Sequence, residues 1–176
     1  MIMPNTFREK LDSGEPTVGT HFLSPDPDIP ELIGDTGLYD YGEFCAEYAS
    51  FDMQLLYHMA RAGQCANLPL MIKPDQKSES FWAQAALGAG FKSVLFTDVR
   101  TVEDIARCHQ AIRPDNPQNG GHMGVKLRRP ALSGYSDQGP GSSPESYVQD
   151  LESIVFLIMI EKHMTVENID EIFSGL

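Results

Sequence analysis

The sequence lacks paired cysteines, an excess of basic charge and any long apolar run, and each lack removes a class of protein. Its three cysteines, Cys45, Cys65 and Cys108, are widely spaced and odd in number, with no CxxC pair. That pattern excludes a disulfide scaffold or zinc framework and suits reduced thiols in a cytoplasmic protein. Lys and Arg total 13 against 25 Asp and Glu, a formal net charge of -12. Such a chain has no basic footprint for nucleic acid or an anionic membrane. No secretory leader precedes the first polar residues, and no apolar run nears the roughly 20 residues of a membrane span. No G-x-G-x-x-G, P-loop or G-x-S-x-G follows a predicted strand, and no His pair has zincin spacing. No internal repeat is visible. The expectation is a soluble, cytoplasmic protein without a nucleic-acid or membrane partner.

What is present is an ordinary globular balance, 41% hydrophobic and 22% charged over 176 residues, enough for one domain with a sizeable core. A short helix is predicted over Phe7–Leu11, closed by Ser13-Gly14. Strands are predicted over Thr17–Leu23, Leu38–Phe44, Leu68–Lys73 and Ser93–Asp98. Between them lie helices around Pro30–Gly34, from about Met53 to Gly63 behind Asp52 as its cap, and over Ser80–Leu87. Thr101-Val-Glu-Asp104 has the form of a capping box opening a helix to about Ile112. From Arg113 to Pro144 Gly, Pro, Ser and Asn dominate, with a basic cluster at Lys126, Arg128 and Arg129; solvated charge or contact with an acidic substrate or neighbouring subunit both suit it. Helices over Glu145–Leu151 and Thr165–Phe173 flank the last strand, the second presenting Val166, Ile169, Ile172 and Phe173 on one face. The chain thus reads as one partial domain over 1–176 with a loop-rich excursion at about 113–144. Strand and helix alternate about five times, which predicts parallel strands with right-handed crossovers, an α/β fold.

The stretch Ile154–Ile160 carries the clearest signal. Seven apolar residues run without a break and end at Glu161, the pattern of a parallel strand buried on both faces. In a βα barrel the reactive groups sit where strands end, at the C-terminal face. Glu161 holds such a position, as a site carboxylate or a solvated strand-end acid. Lys73, after the third strand, and His21, at the end of the first, hold comparable positions. His58 and His109 lie in helices, and His163 falls two residues after Glu161, a spacing that does not guarantee a shared face.

These residues, taken in order, resemble a known family: the strand after Gly37 with Tyr39-Asp40-Tyr41, then Ala46-Glu47-Tyr48-Ala49, Met71-Ile72-Lys73-Pro74, Gly88-Ala89-Gly90-Phe91, and Met159-Ile160-Glu161. The chain is similar, over essentially its whole length, to the HpcH/HpaI aldolase/citrate lyase family. The resemblance implies a (β/α)8 TIM barrel, of which this chain covers about the first five β/α units. It also implies a homo-oligomer, usually a hexamer, acting as a metal-dependent class II aldolase. There a divalent metal, Mg2+ or Mn2+ with Co2+ as an alternative, binds pyruvate and stabilises its enolate while a C–C bond of a 2-oxo acid is cleaved or formed. Glu161 matches the family's first metal carboxylate. Lys73 stands where the family has Arg, keeping the charge without the bidentate fork.

The departures are specific. Tyr48 replaces the family's catalytic His, Gly88 falls where its Asp partner is expected, and Met159 replaces a Gln two residues before Glu161. A tyrosine titrates near pH 10 unless perturbed. Glu47 remains, placed to orient Tyr48 or a metal-bound water. A complete barrel needs roughly 250 residues, and the second metal ligand, an Asp after the sixth strand, has no counterpart here. Further chain, or a partner, is expected to supply it. Two functions follow: a lyase using Lys73, Tyr48 and Glu47 as catalytic residues, His21 with Lys73 for substrate and Glu161 for metal, or a non-catalytic carboxylate-binding or assembly subunit.

Overall fold

A computed structural model describes residues 4–124 and 144–174. Five strands, β1 (Gly19–Phe22), β2 (Tyr41–Phe44), β3 (Leu70–Ile72), β4 (Ser93–Phe96) and β5 (Val155–Ile158), form one sheet in that order, every neighbouring pair parallel. Helices α2 (Asp28–Asp35), α3 (Met53–Cys65), α4 (Glu79–Ala89) and α5 (Val102–Ile112) connect successive strands, and α6 (Pro144–Glu152) leads into β5. Two short helices, α7 (His163–Glu167) and α8 (Ile169–Ser174), follow it. Sequential parallel strands with crossover helices are the staves of a (β/α) barrel.

Period-two alternation gives the sheet two covered faces. Phe22, Phe44, Leu70, Ile72, Val94 and Phe96 pack with helix residues that include Leu56, Met59, Ala86, Ile105 and Cys108. On the opposite face Met71 and Val155 pack with Phe7, Tyr41, Leu95 and Leu157. Phe7 belongs to α1 (Thr6–Asp12), whose cap Asn5 accepts from Arg8 N and donates to Lys92 O and Ser153 O, at 3.0 and 2.9 Å. The same side chain therefore starts α1 and ties it to the N-terminal ends of β4 and β5. Gly19 makes room there, since a Cβ on it would lie 2.1 Å from the Tyr41 ring. Tyr41 stacks on Phe7 with centroids 4.3 Å apart. Among the described residues no helix is long and apolar enough to cross a membrane.

The predicted capping box is present: Thr101 accepts from Asp104 N, and the Asp104 carboxylate accepts from Thr101 N. Helix α4 ends at Gly90, whose φ of +125 suits a residue without a Cβ. Three expectations need correction. The second strand starts at Tyr41 and not at Leu38, because Leu38 is exposed and the Asp40 carboxylate is engaged with Val18 N and Lys10. The final helix is two helices that break at Asn168, so Ile172 is buried while Val166 and Phe173 face out. The last strand is not buried on both faces. Only Val155 of β5 is buried, and Ile160 beyond it is exposed. Among the described residues β5 pairs with β4 alone, so its far edge has no strand cover. Residues 113–124 of the excursion hold a Pro114–Met123 bridge; Lys126, Arg128 and Arg129 lie outside the described residues.

Candidate active site

The C-terminal ends of β1, β2 and β3 bring five chemistry-bearing side chains together. His21 pairs across to Glu43, and Glu43 to Met71. Lys73 lies two residues after Met71, on the same face. Its backbone is held at both ends: Lys73 N donates to Phe44 O and Glu47 N donates to Lys73 O, each at 3.0 Å. The 3-10 turn Ala46–Tyr48 therefore carries Glu47 directly over the end of β3. Lys73 Nζ lies 2.9 Å from Glu47 Oε2, with both side chains mostly buried. The ammonium is the neighbour of buried Oε2 as an ion-pair partner, and no further hydrogen bond satisfies that oxygen. The ammonium also lies 5.4 Å from the centre of the Tyr48 ring, within cation–π range.

Electrostatics separate these groups. Burial by itself would lower Lys73, but the carboxylate of Glu47 and the neighbouring Cys45 and Tyr48 override it and hold the ammonium above its ordinary value. Lys73 is thus a fixed positive charge rather than a neutral amine nucleophile. Glu47 pushes the phenol of Tyr48 upward, although the ring is 69% exposed, which weakens Tyr48 further as a base. Burial raises the Cys45 thiol and keeps it unreactive. Glu43 is raised as well, chiefly by burial, with Lys73 and His21 pulling the other way.

A second group forms at the ends of β4 and β5. Asp98 adopts φ +60, a left-handed conformation that Asp tolerates better than most residues. Its N–H donates to Glu161 Oε1 at 3.2 Å, and its carbonyl accepts from Arg100 Nη1 at 2.9 Å. Lys162 ion-pairs with Asp98 and lies 3.7 Å from Glu161 Oε1; Asp98 beside it raises its pKa. The Glu161 side chain is 34% exposed. Thr165 secures this corner by donating its hydroxyl to Val99 O.

No protein-family model and no curated protein matches the chain, but solved structures do. It is similar to an HpcH/HpaI aldolase/citrate lyase family protein from Burkholderia cenocepacia, with a TM-score of 0.78 at 21% identity over 98% of this chain and 65% of that one. An HpcH/HpaI aldolase from Desulfitobacterium hafniense gives 0.77 at 22% identity, covering 96% and 62%. Citrate synthase SbnG gives 0.74 at 20%, covering 98% and 63%. The fold is that of the HpcH/HpaI aldolase barrels. The chain spans somewhat under two thirds of the length of each of these relatives.

On this barrel the expected residues fall into two clusters. Lys73, Glu47, Tyr48 and His21 share the β1–β3 mouth, whereas Glu161 stands at the β4–β5 mouth with Asp98 and Lys162. Asp98 and Glu161 offer two hard oxygen donors, the number that Mg2+ commonly takes from protein. The donor chemistry fits such an ion, although Lys162 competes for both carboxylates. Among the described residues no group of three or more His, Cys, Asp or Glu is placed to hold a metal. His163 pairs with Glu167 at 3.4 Å on α7, and His109 bonds Arg113, so neither joins the site. Sequence reasoning passes over Glu43 and Asp98. Asp98 ends a strand as Glu161 does, and Glu43 is a charge inside a strand covered on both faces; both signals were in the sequence.

Proposed function

We propose that this chain is a carbon–carbon lyase of the class II aldolase kind, binding a small 2-oxo acid such as pyruvate and making or breaking the bond at C3 through an enolate. A shared fold does not name a reaction. The observation that carries the reading is Lys73, a lysine only 8% exposed, locked by its own backbone and by Glu47 at the mouth of an aldolase-type barrel. A buried, permanently charged cation in such a place suits a substrate carboxylate or a developing oxyanion.

Within this reading Lys73 receives the anionic oxygen and Glu47 fixes the ammonium in position. The Tyr48 ring walls the outer side, and His21 meets the substrate from β1. Glu161, with Asp98 beside it, would hold Mg2+, Mn2+ or Co2+. Such an ion, when bound, acts as a Lewis acid that draws charge onto the enolate oxygen. The protein is placed in the cytoplasm as a homo-oligomer, a reading supported by three free thiols and by exposed Leu32, Leu38 and Phe81 on outer helices and loops.

A non-catalytic carboxylate-binding or assembly subunit is the second reading. Its support is the exposed Tyr48 in the family's His position and the Lys162 ammonium resting on the carboxylate pair. Oxaloacetate decarboxylation or aldol cleavage under a divalent-metal titration decides between them. The lyase reading expects metal-dependent turnover that Glu161→Ala and Lys73→Met abolish. Carboxylate binding without turnover at any metal concentration contradicts it.

A further inference from the structure

Glu43 lies inside β2, on the face that also carries Tyr41 and Cys45, between His21 of β1 and Met71 of β3. The charged and titratable groups that face it are His21, Lys73, Cys45 and Tyr41. Lys73 is already paired to Glu47, so two carboxylates surround one ammonium in different states. Glu47 is its fixed counter-ion, while Glu43 is half-buried and outside that pair, with its protonated form favoured by burial. One carboxylate ion-paired to the ammonium and a second left beside it on the same face have the disposition of an electrostatic partner and a proton carrier.

We infer that Glu43 is the proton-transfer residue of this mouth, taking a proton from C3 of pyruvate held at Lys73 before bond formation and, in the reverse direction, delivering one to C3 of the enolate left by bond cleavage. This rests on the 2-oxo acid reading above. In the forward step the C3–H bond breaks, an O–H bond forms on the Glu43 carboxylate, and the C–H electron pair moves through C2 onto the carbonyl oxygen. Reprotonation at C3 reverses each change, with no oxidant or reductant required. The assignment supplies the function left open where Tyr48 stands in place of a histidine.

Deuterium exchange into the methyl group of pyruvate, followed by proton NMR in D2O with Mg2+ added, tests this. Pyruvate affinity is measured in parallel by calorimetry. Wild type is expected to bind and exchange, with a rate that climbs across a pH range displaced above that of an ordinary glutamate. Glu43→Gln should bind pyruvate within about twofold yet exchange about 100-fold or more slowly, the usual scale for losing a general base. Glu43→Asp, which keeps the carboxyl, should recover part of the rate and guards against a folding artefact of the amide. Undiminished exchange in Glu43→Gln, with the same pH limb, overturns the assignment and leaves the 2-oxo acid reading standing. Loss of binding in both variants makes Glu43 a binding group and overturns it too. Wild type that neither binds nor exchanges overturns the underlying reading, and the assignment with it.

Discussion

The two halves of the barrel mouth carry the same chemical pieces, lysine and carboxylates at strand ends, and hold them differently. Over β1–β3 the pair is dry: Lys73 and Glu47 keep 11% and 17% of their side-chain surface. Over β4–β5 it is wet, with Lys162 and Glu161 at 35% and 34%. Neighbouring strands explain the contrast. β2 and β3 are flanked on both sides, whereas β5 has one partner among the described residues. Charges in the first cluster interact at lower effective dielectric, while those in the second lie more open to screening by solvent and salt. One mouth is built to hold a fixed charge, the other to exchange partners.

The largest expected effect removes the dry pair. Lys73→Met should destabilise the chain by about 3 kcal/mol, because an uncompensated buried carboxylate remains at Glu47. Adding Glu47→Leu should recover most of that in urea unfolding. A loss below about 1 kcal/mol would place the pair in water and erase the contrast. Next is the tether between the loops after β4 and β5. Thr165→Val should cost about 1–2 kcal/mol by leaving the Val99 carbonyl unpaired, read by the same unfolding curves.

At the wet mouth, Lys162→Met should leave the unfolding curve essentially unchanged. It should strengthen Mn2+ binding about fivefold, since a neighbouring ammonium repels the ion only weakly through water-like surroundings. Electron paramagnetic resonance of free Mn2+ measures this, and unchanged affinity would dissociate Lys162 from the carboxylates. The smallest effect belongs to Glu43. Its folded-state pKa lies above its unfolded one, so the folded chain holds the proton more tightly. Its stabilising contribution is full below the ordinary glutamate value and lost as pH rises through the raised one. Glu43→Gln should lack that decline in a pH series of melting curves.

Much of this was legible from residue pattern. Parallel strands with crossover helices, the capping box at Thr101 and the placing of Lys73 at a strand end all follow from local periodicity and turn chemistry. The ion pair did not: Glu47 and Lys73 lie on different units, brought together by the pairing of β2 with β3 and by the bonds that join Lys73 N to Phe44 O and Glu47 N to Lys73 O. Glu43 hid in the alternation of Tyr41–Phe44, where the pattern separates two faces without saying which one lines the barrel. The apolar run before Glu161 misled about burial, because hydrophobicity reports what a strand can bury and not which neighbours stand beside it. The order of residues puts Tyr48 just after the second strand, but its exposure depends on how the 3-10 turn Ala46–Tyr48 projects over β3.

Calorimetric titration of pyruvate into the chain with Mn2+ present, in wild type and in a folded Lys73→Met variant, tests the central claim that Lys73 is the anion-receiving group. Saturable binding in wild type that disappears in the variant is the predicted result. Equal binding by the two proteins would contradict it.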